Sequence, residues 1–348
     1  MLKFADGREI TAGNFEEWRQ ATKAIFEEYA YGKIPDTPKK TEYEILSEKR
    51  VFCVDAKYRK VKIICTLDDA REYVFSFDAD YYYPTDKENF PVIVYARFDE
   101  VPHHDYCPVE EIVDNGVGVI SFCYNHITTD NPETDKLADI IAKMNVLRIC
   151  ENENTDVGKF SRASEIIDSL PGKISFWAWG MHRLVDYLYA QDNIDKNRIA
   201  VLGHSRLGKT SLWAGANDER VKFVFSNCAG CMGDALIRTK QENSETNERI
   251  CETFYYWFSK KFVDTVKLGK TLPFDMDMLL ALSAPRTLAT VAADEDLWAD
   301  PYSQGLAIKS AKFAWEIFGQ NNIYHNLRHG IHYHSRHDWQ FFIDILKN

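Results

Sequence analysis

The sequence lacks a concentrated run of lysine and arginine, and acidic residues outnumber basic ones. It holds 53 Asp and Glu against 42 Lys and Arg, with a formal net charge of −11. A surface that follows a phosphate backbone needs dense positive charge. The composition therefore argues against a nucleic-acid partner, and an anionic substrate would need cations placed locally.

Long apolar runs are also missing. Residues Met1–Glu9 contain no apolar stretch of the kind that a secretory signal carries. No later run approaches the roughly 18 apolar residues of a membrane span. We therefore expect no membrane partner, and a cytoplasmic location for the chain as it stands, or secretion if a leader has been removed.

The chain of 348 residues contains no repeat of fixed period. Its 17 Gly and 11 Pro are spread out and do not form a linker. We expect one catalytic domain over residues 1–348, with an N-terminal helix and edge strands over about 1–85. Eight cysteines are present, several inside apolar runs, which predicts reduced core thiols. The pair Cys228 and Cys231 has no second pair at zinc spacing, so a metal site is disfavoured.

Apolar periodicity predicts an α/β fold. Residues 14–31 place apolar groups at helical intervals, and 42–80 contain short Val-, Ile-, Tyr- and Phe-rich segments typical of antiparallel edge strands. Beyond them, near-continuous apolar runs alternate with helical segments, as in a parallel sheet with helices on both faces. The predicted strands of that sheet are Pro91–Arg97, Gly118–Cys123, Arg198–His204, Val221–Asn227, Arg286–Ala293 and Asn322–Arg328.

A predicted strand, Arg198–Leu202, runs directly into Gly203-His-Ser-Arg-Leu-Gly208, and a helical segment follows. This order is typical of the nucleophile elbow of α/β-hydrolases, in which a sharp turn presents a serine hydroxyl beside a helix N-terminus. Ser205 is the candidate nucleophile. The spacing is G-x-S-x-x-G, whereas the usual elbow is G-x-S-x-G.

A serine nucleophile needs a base that a third group orients, in the chain order serine, acid, histidine. The acid candidate follows the strand that ends at Ala293, and we favour Asp296. Its rivals are Asp294, Glu295 and Asp300.

Four histidines, within Arg328–Trp339, precede an amphipathic terminal helix, and one of them is the expected base. Spacing alone does not choose among His329, His332, His334 and His337. A metal-binding histidine cluster is the weaker interpretation, because no carboxylate or thiol set lies nearby at ligand spacing.

These segments together resemble the glucuronoyl esterases of carbohydrate esterase family 15, over most of the chain. The signature Gly203-His-Ser-Arg-Leu-Gly-Lys209 followed by Leu-Trp-Ala-Gly-Ala216 is specific. The remaining matching segments are Glu27–Pro35, Thr155–Gly158, Phe176–Arg183, Ser226–Gly230, Tyr256–Phe258, Ala284–Arg286 and Leu297–Pro301. The resemblance implies a three-layer α/β/α sandwich of the α/β-hydrolase fold with a mostly parallel central sheet. It also implies hydrolysis of the ester that joins 4-O-methylglucuronic acid on xylan to a lignin alcohol.

For the reaction itself, the resemblance implies that Ser205 is the nucleophile and that Arg206 stabilises the oxyanion. The family spacing of a histidine six residues before the Asp-Trp that opens the last helix selects His332. The family's tryptophan two residues after the triad acid selects Asp296. No metal or organic cofactor is expected.

For the substrate, the resemblance implies sugar contacts from Lys209, from Glu245 and from Trp298. The glycine that precedes the glutamate in the family motif is replaced here by Ser244. The expected partner is a small-molecule or oligosaccharide glucuronate ester. An acetylxylan or other carbohydrate esterase on the same fold is the nearest alternative.

One departure from the family concerns the acid. Many relatives carry a glutamate directly after Ser-Asn on the strand that follows the elbow, where this chain has Cys228. A thiol cannot hold an imidazolium as a carboxylate does, so Asp296 would have to orient His332. A noncatalytic binding protein with a degenerate triad is therefore a further alternative. Typical members also carry export signals, which this chain does not show.

Overall fold

The central element is a sheet in which nine strands are described. The structure is a computed structural model that describes residues 2–4, 6–51, 56–68, 71–152, 166 and 168–348. The motif at 155–158 lies outside these residues. The strands are β1 (Lys40–Val51), β2 (Ala56–Asp68), β3 (Tyr73–Pro84), β4 (Phe90–Arg97), β5 (Gly118–Cys123), β6 (Ile194–His204), β7 (Phe223–Asn227), β8 (Thr287–Ala293) and β9 (Ile323–Arg328).

The strand order is β1-β2-β3-β5-β4-β6-β7-β8-β9. The first three strands pair antiparallel, and β3 also pairs antiparallel with β5. All other pairings are parallel. The predicted antiparallel edge and the predicted parallel strands are confirmed.

Helices cover both faces of the sheet. The α-helices of the described residues are α1 (Phe15–Tyr29), α2 (Val109–Asp114), α3 (Lys136–Asn152), α4 (Lys173–Tyr189), α5 (Arg206–Asn217), α6 (Asn247–Phe254), α7 (Lys260–Lys267), α8 (Met276–Ala281), α9 (Pro301–Ala311), α10 (Phe313–Glu316) and α11 (Arg336–Lys347). No helix among them is long and apolar enough to cross a membrane.

Strand β4 shows how the layers are built. All of its residues are buried, as its continuous apolar run requires. Val92 and Val94 face a core with α1, α4 and α5, whereas Ile93 and Tyr95 face a second core with α2 and α11. The predicted three-layer α/β/α-hydrolase fold is confirmed. The seven described cysteines are free and buried.

The parallel strands place the candidate catalytic residues at one edge of the sheet. Ser205 follows β6, Cys228 follows β7, Asp296 comes three residues after β8 and His332 four residues after β9. Because the carboxyl ends of parallel strands lie at the same edge, these side chains share one end of the sheet.

Candidate active site

Ser205 occupies a strained turn between β6 and α5. Its φ is 57° and its ψ is −124°, a region that residues with a side chain rarely adopt. Its N–H donates to the Asn227 carbonyl at 2.8 Å, which fixes the turn to β7. A Cβ at Gly203 would lie 1.9 Å from the Leu207 carbonyl oxygen, so only glycine fits there. The geometry is that of a nucleophile elbow in spite of the G-x-S-x-x-G spacing.

His332 and Asp296 form a close pair. His332 Nδ1 lies 2.5 Å from Asp296 Oδ2. The Asp296 side chain is only 5% exposed, whereas that of His332 is 41% exposed. The carboxylate can therefore hold the Nδ1–H while the other ring nitrogen stays accessible. Asp296 also accepts a bond from the Ala299 N–H at 3.3 Å, which anchors it at the end of β8.

Two contacts set His332 against the elbow. Its ring centroid lies 4.6 Å from that of His204, the residue immediately before Ser205. A ring nitrogen of His332, a carboxylate oxygen of Asp296 and Cys228 Sγ lie within 4.8 Å of one another. His332 and Asp296 thus lie beside the turn that carries Ser205.

The loop that carries His332 is held by Arg328, the last residue of β9. Its Nη2 donates to the Ile331 carbonyl at 3.1 Å, and its Nε donates to the fully buried Asp338 at 2.9 Å. Asp338 also completes a capping box with Ser335 at the start of α11. The sequence reasoning missed both roles, although the Ser-x-x-Asp spacing at 335–338 signals a helix start.

The other acid candidates have different partners. Asp294 faces His329 at 3.2 Å, and Glu295 lies 3.8 Å from that histidine. Asp300 is buried and caps α9 by accepting a bond from the Ser303 N–H at 3.0 Å. Among the acid candidates, the contacts with His332 select Asp296.

The remaining histidines of the loop differ from His332 in their exposure and contacts. His329 is 81% exposed and His337 is exposed, whereas His334 is fully buried against Trp339. Burial lowers the pKa of His334 well below its usual value. Among the four candidates, His332 alone combines a buried carboxylate with an accessible ring.

His204 is a neutral histidine within the site that the sequence reasoning missed. Burial, followed by the neighbouring charge of His332, lowers its pKa to about 3. Its Nδ1 lies 2.5 Å from Asn227 Oδ1, an acceptor, so this nitrogen carries the proton. His204 therefore packs against His332 without adding a competing positive charge.

Arg206 begins α5 directly after Ser205, and its guanidinium is enclosed by aromatic rings. It forms an ion pair with the largely buried Asp130 and lies 4.7 Å from the Trp257 ring and 5.4 Å from the Phe254 ring. Asp130 in turn accepts a bond from Trp257 Nε1 at 2.7 Å. Asp130 was missed because no local pattern links it to a residue 76 positions away.

The three residues expected to contact sugar lie near one another. Lys209 is 4% exposed, and its Nζ donates to the Ala229 carbonyl at 2.7 Å. Burial lowers its pKa, while the negative charge of Glu245 acts in the opposite direction. The Glu245 N–H donates to the Trp298 carbonyl at 2.9 Å, and Trp298 is 51% exposed. Lys209 is thus a buried amine held by the Ala229 carbonyl, and Glu245 is joined through its backbone to an accessible indole.

Known proteins resemble this chain in sequence and in fold. A family model described as "Glucuronyl esterase, fungi" matches residues 141–319. Carbohydrate esterase MZ0003, from an unknown prokaryotic organism, is 30% identical over an alignment of 386 positions that covers 99% of this chain and 87% of the relative. The solved glucuronoyl esterase from Solibacter usitatus has a TM-score of 0.83 at 26% identity, over 99% of this chain and 96% of that one.

A fungal relative matches a shorter part. The 4-O-methyl-glucuronoyl methylesterase 1 of Phanerochaete chrysosporium is 33% identical over 150 residues, or 41% of this chain and 32% of the relative. The matched segment therefore spans about a third of that protein. The family model and the match along nearly the whole prokaryotic relative lead to one conclusion: the chain belongs to the glucuronoyl esterases of carbohydrate esterase family 15, which are carboxylic-ester hydrolases.

Proposed function

We propose that Ser205, His332 and Asp296 act together to hydrolyse esters of 4-O-methylglucuronic acid or glucuronic acid. The observation that carries this proposal is the 2.5 Å contact between His332 Nδ1 and the buried Asp296 carboxylate, beside the strained elbow of Ser205. A carboxylate at Nδ1 keeps the proton on that nitrogen and leaves Nε2 as a free base. This is the tautomer that an uncharged serine hydroxyl needs.

The reaction follows from these roles. Ser205 gives its hydroxyl proton to His332 Nε2 as its oxygen bonds to the ester carbonyl carbon, and the carbonyl π electrons move to the oxygen. Collapse of this tetrahedral intermediate breaks the bond between the carbonyl carbon and the alcohol oxygen, and that oxygen takes the proton from His332. Water repeats the two steps and releases the uronic acid.

Arg206 is the proposed stabiliser of the oxyanion. Its position directly after Ser205 puts a permanent positive charge at the elbow, and Asp130 with Trp257 holds the guanidinium in place. A charge that is fixed before the reaction stabilises the developing oxyanion without reorganisation. Loss of one such donor typically lowers kcat by about 10²- to 10³-fold.

Lys209, Glu245 and Trp298 are the proposed sugar contacts. Glu245 and Lys209 offer an acceptor and a donor to hydroxyl groups, and the exposed indole of Trp298 offers a flat apolar surface. The fungal relative is named for 4-O-methyl-glucuronoyl methylesterase activity, and we extend that acyl group to this chain. The cluster suits a sugar on the acyl side of the ester.

An acetylxylan esterase is the alternative that this cluster disfavours, because an acetyl group has no hydroxyls for Glu245 or Lys209 to bind. The discriminating experiment keeps the alcohol constant and compares kcat/KM on benzyl glucuronate and on benzyl acetate, with acetate release from acetylated xylan as a third assay. We expect at least a tenfold preference for the glucuronate. Preference for acetate would overturn the acyl-group assignment.

Variants sharpen this comparison. Lys209→Met and Glu245→Gln should lower kcat/KM on benzyl glucuronate by about tenfold or more, because each removes a charge-assisted hydrogen bond. Both should leave the rate on benzyl acetate within about twofold. An equal loss on both esters would indicate a structural role for the two residues.

We also propose that the chain acts as one catalytic domain, supported by the single sheet that joins β1 to β9. The absence of nucleic-acid partners and the cytoplasmic or secreted location stay predictions.

A further inference from the structure

A thiol lies directly beside the acid and the base. Cys228 Sγ, a carboxylate oxygen of Asp296 and a ring nitrogen of His332 lie within 4.8 Å of one another. Cys228 is 1% exposed and follows β7, where its N–H donates to the Val291 carbonyl at 2.8 Å. The reaction proposed above gives this thiol no task.

We propose that Cys228, Asp296 and His332 form an inhibitory site for thiophilic divalent cations, of which Zn²⁺ is the representative. Thiolate, imidazole and carboxylate are the three protein ligand types of zinc. Three such ligands with a water in the fourth position make a complete tetrahedral set. Hard cations such as Mg²⁺ prefer oxygen ligands alone and match this set poorly.

The geometry allows binding with small movements. Bonds of about 2.0 to 2.3 Å place ligand atoms around tetrahedral zinc roughly 3.3 to 3.7 Å apart. His332 Nδ1 and Asp296 Oδ2, now 2.5 Å apart, would separate by about 1 Å, whereas Cys228 Sγ already lies within 4.8 Å of both ligand groups. The ion can enter from the side of His332, whose side chain is 41% exposed. Binding releases the Cys228 thiol proton to solvent, and the single proton of the neutral His332 ring moves from Nδ1 to Nε2.

Inhibition follows from the tautomer of His332. A neutral imidazole carries one proton and offers one lone pair. If the metal takes the Nδ1 lone pair, the proton must lie on Nε2, which can then no longer accept the Ser205 proton. The metal also takes Asp296 away from its orienting role. One bound ion thus blocks the base and the acid together.

The activity test rests on the proposed function. Rates on benzyl glucuronate are measured against Zn²⁺ concentration for wild type, Cys228→Ala and Cys228→Ser, each normalised to its own metal-free rate. We expect wild type to be inhibited, EDTA to restore it, and Mg²⁺ to have no effect. Loss of the thiol ligand should raise the half-inhibitory Zn²⁺ concentration at least tenfold.

Cys123→Ala is the matched control, because Cys123 is another buried thiol that lies within 4.8 Å of Glu100 and His126 ligand atoms. Its half-inhibitory concentration should stay within twofold of wild type. Equal inhibition of wild type and Cys228→Ala, or relief by Cys123→Ala instead, would overturn the proposal.

A second measurement does not depend on esterase activity. Co²⁺ bound by a thiolate gives a sulfur-to-metal charge-transfer band in the near ultraviolet, which should appear in Cys123→Ala and be absent when Cys228→Ala is added to that variant. A band in Cys123→Ala together with a wild-type protein that hydrolyses no ester would defeat the proposed function and leave the metal site standing. A missing band in folded Cys123→Ala would defeat the site.

Discussion

Two carboxylate–histidine pairs connect the segments that follow β8 and β9, and they differ in burial. Asp294 and His329 lie 3.2 Å apart with side chains 45% and 81% exposed. Asp296 and His332 lie 2.5 Å apart with side chains 5% and 41% exposed. Water screens the first pair, whereas the second keeps a desolvated carboxylate on one side of an accessible ring. The two aspartates are two positions apart in the sequence and the two histidines three. One pair is nevertheless a surface ion pair, and the other is a candidate catalytic pair.

The largest expected effect comes from the histidines. His332→Ala should lower kcat by about 10⁴-fold or more, because the serine loses its base. His329→Ala should leave kcat within about twofold. Steady-state rates on benzyl glucuronate measure both, and comparable losses would remove the distinction between the pairs.

The acids come next. Asp296→Asn should lower kcat by about 10³- to 10⁴-fold, since an amide in place of the carboxylate favours the wrong tautomer of His332. Asp294→Asn should change kcat less than twofold. Circular dichroism of both variants controls for folding. Retention of activity in Asp296→Asn would mean that another group orients the base.

A smaller effect tests whether a carboxylate at position 228, directly after β7, can replace Asp296 as the acid of the triad. Cys228 lies within 4.8 Å of the His332 and Asp296 ligand atoms, so a carboxylate at this position can reach the ring. The double variant Asp296→Asn with Cys228→Glu should regain at least tenfold of the activity that Asp296→Asn loses. Cys228→Gln in the same background is the uncharged control. Equal rates for the Glu and Gln versions would contradict the prediction.

The smallest effect concerns titration of the exposed pair. Hydrogen bonding to Asp294 and the charge of Asp294 raise the pKa of His329 above 6.5. Because the pKa of His329 is higher in the folded state, its protonation stabilises the folded protein. This stabilisation is complete at pH values below the unfolded-state pKa and is lost as the pH rises through the folded-state pKa. NMR titration of Asp294→Asn should show a lower pKa for His329. An unchanged value would exclude Asp294 as the cause.

Much of the fold was predictable because burial on both faces demands continuous apolar strands. All six predicted parallel-sheet strands are present, and β5 has the predicted bounds, Gly118–Cys123. Ser205 was also predictable, because an elbow is a local pattern of strand, turn and helix. The choice of Asp296 and His332 needed the family resemblance, since the residue spacing left four histidines and four acids open.

The support around the site could not be predicted from local patterns. Asp130 reaches Arg206 from 76 positions away, and Asn227 holds His204 from a neighbouring strand. Such contacts depend on the strand order, which brings distant segments together without a sequence signal. Burial has the same origin: nothing local distinguishes the exposed Asp294 from the buried Asp296.

Covalent labelling of Ser205 by a serine-reactive phosphonate tests the central claim most directly. Peptide mass spectrometry should locate one label per chain on Ser205, at a rate that His329→Ala preserves and His332→Ala lowers by at least 10²-fold. Absence of a label on Ser205, or equal labelling rates in the two histidine variants, would contradict the account.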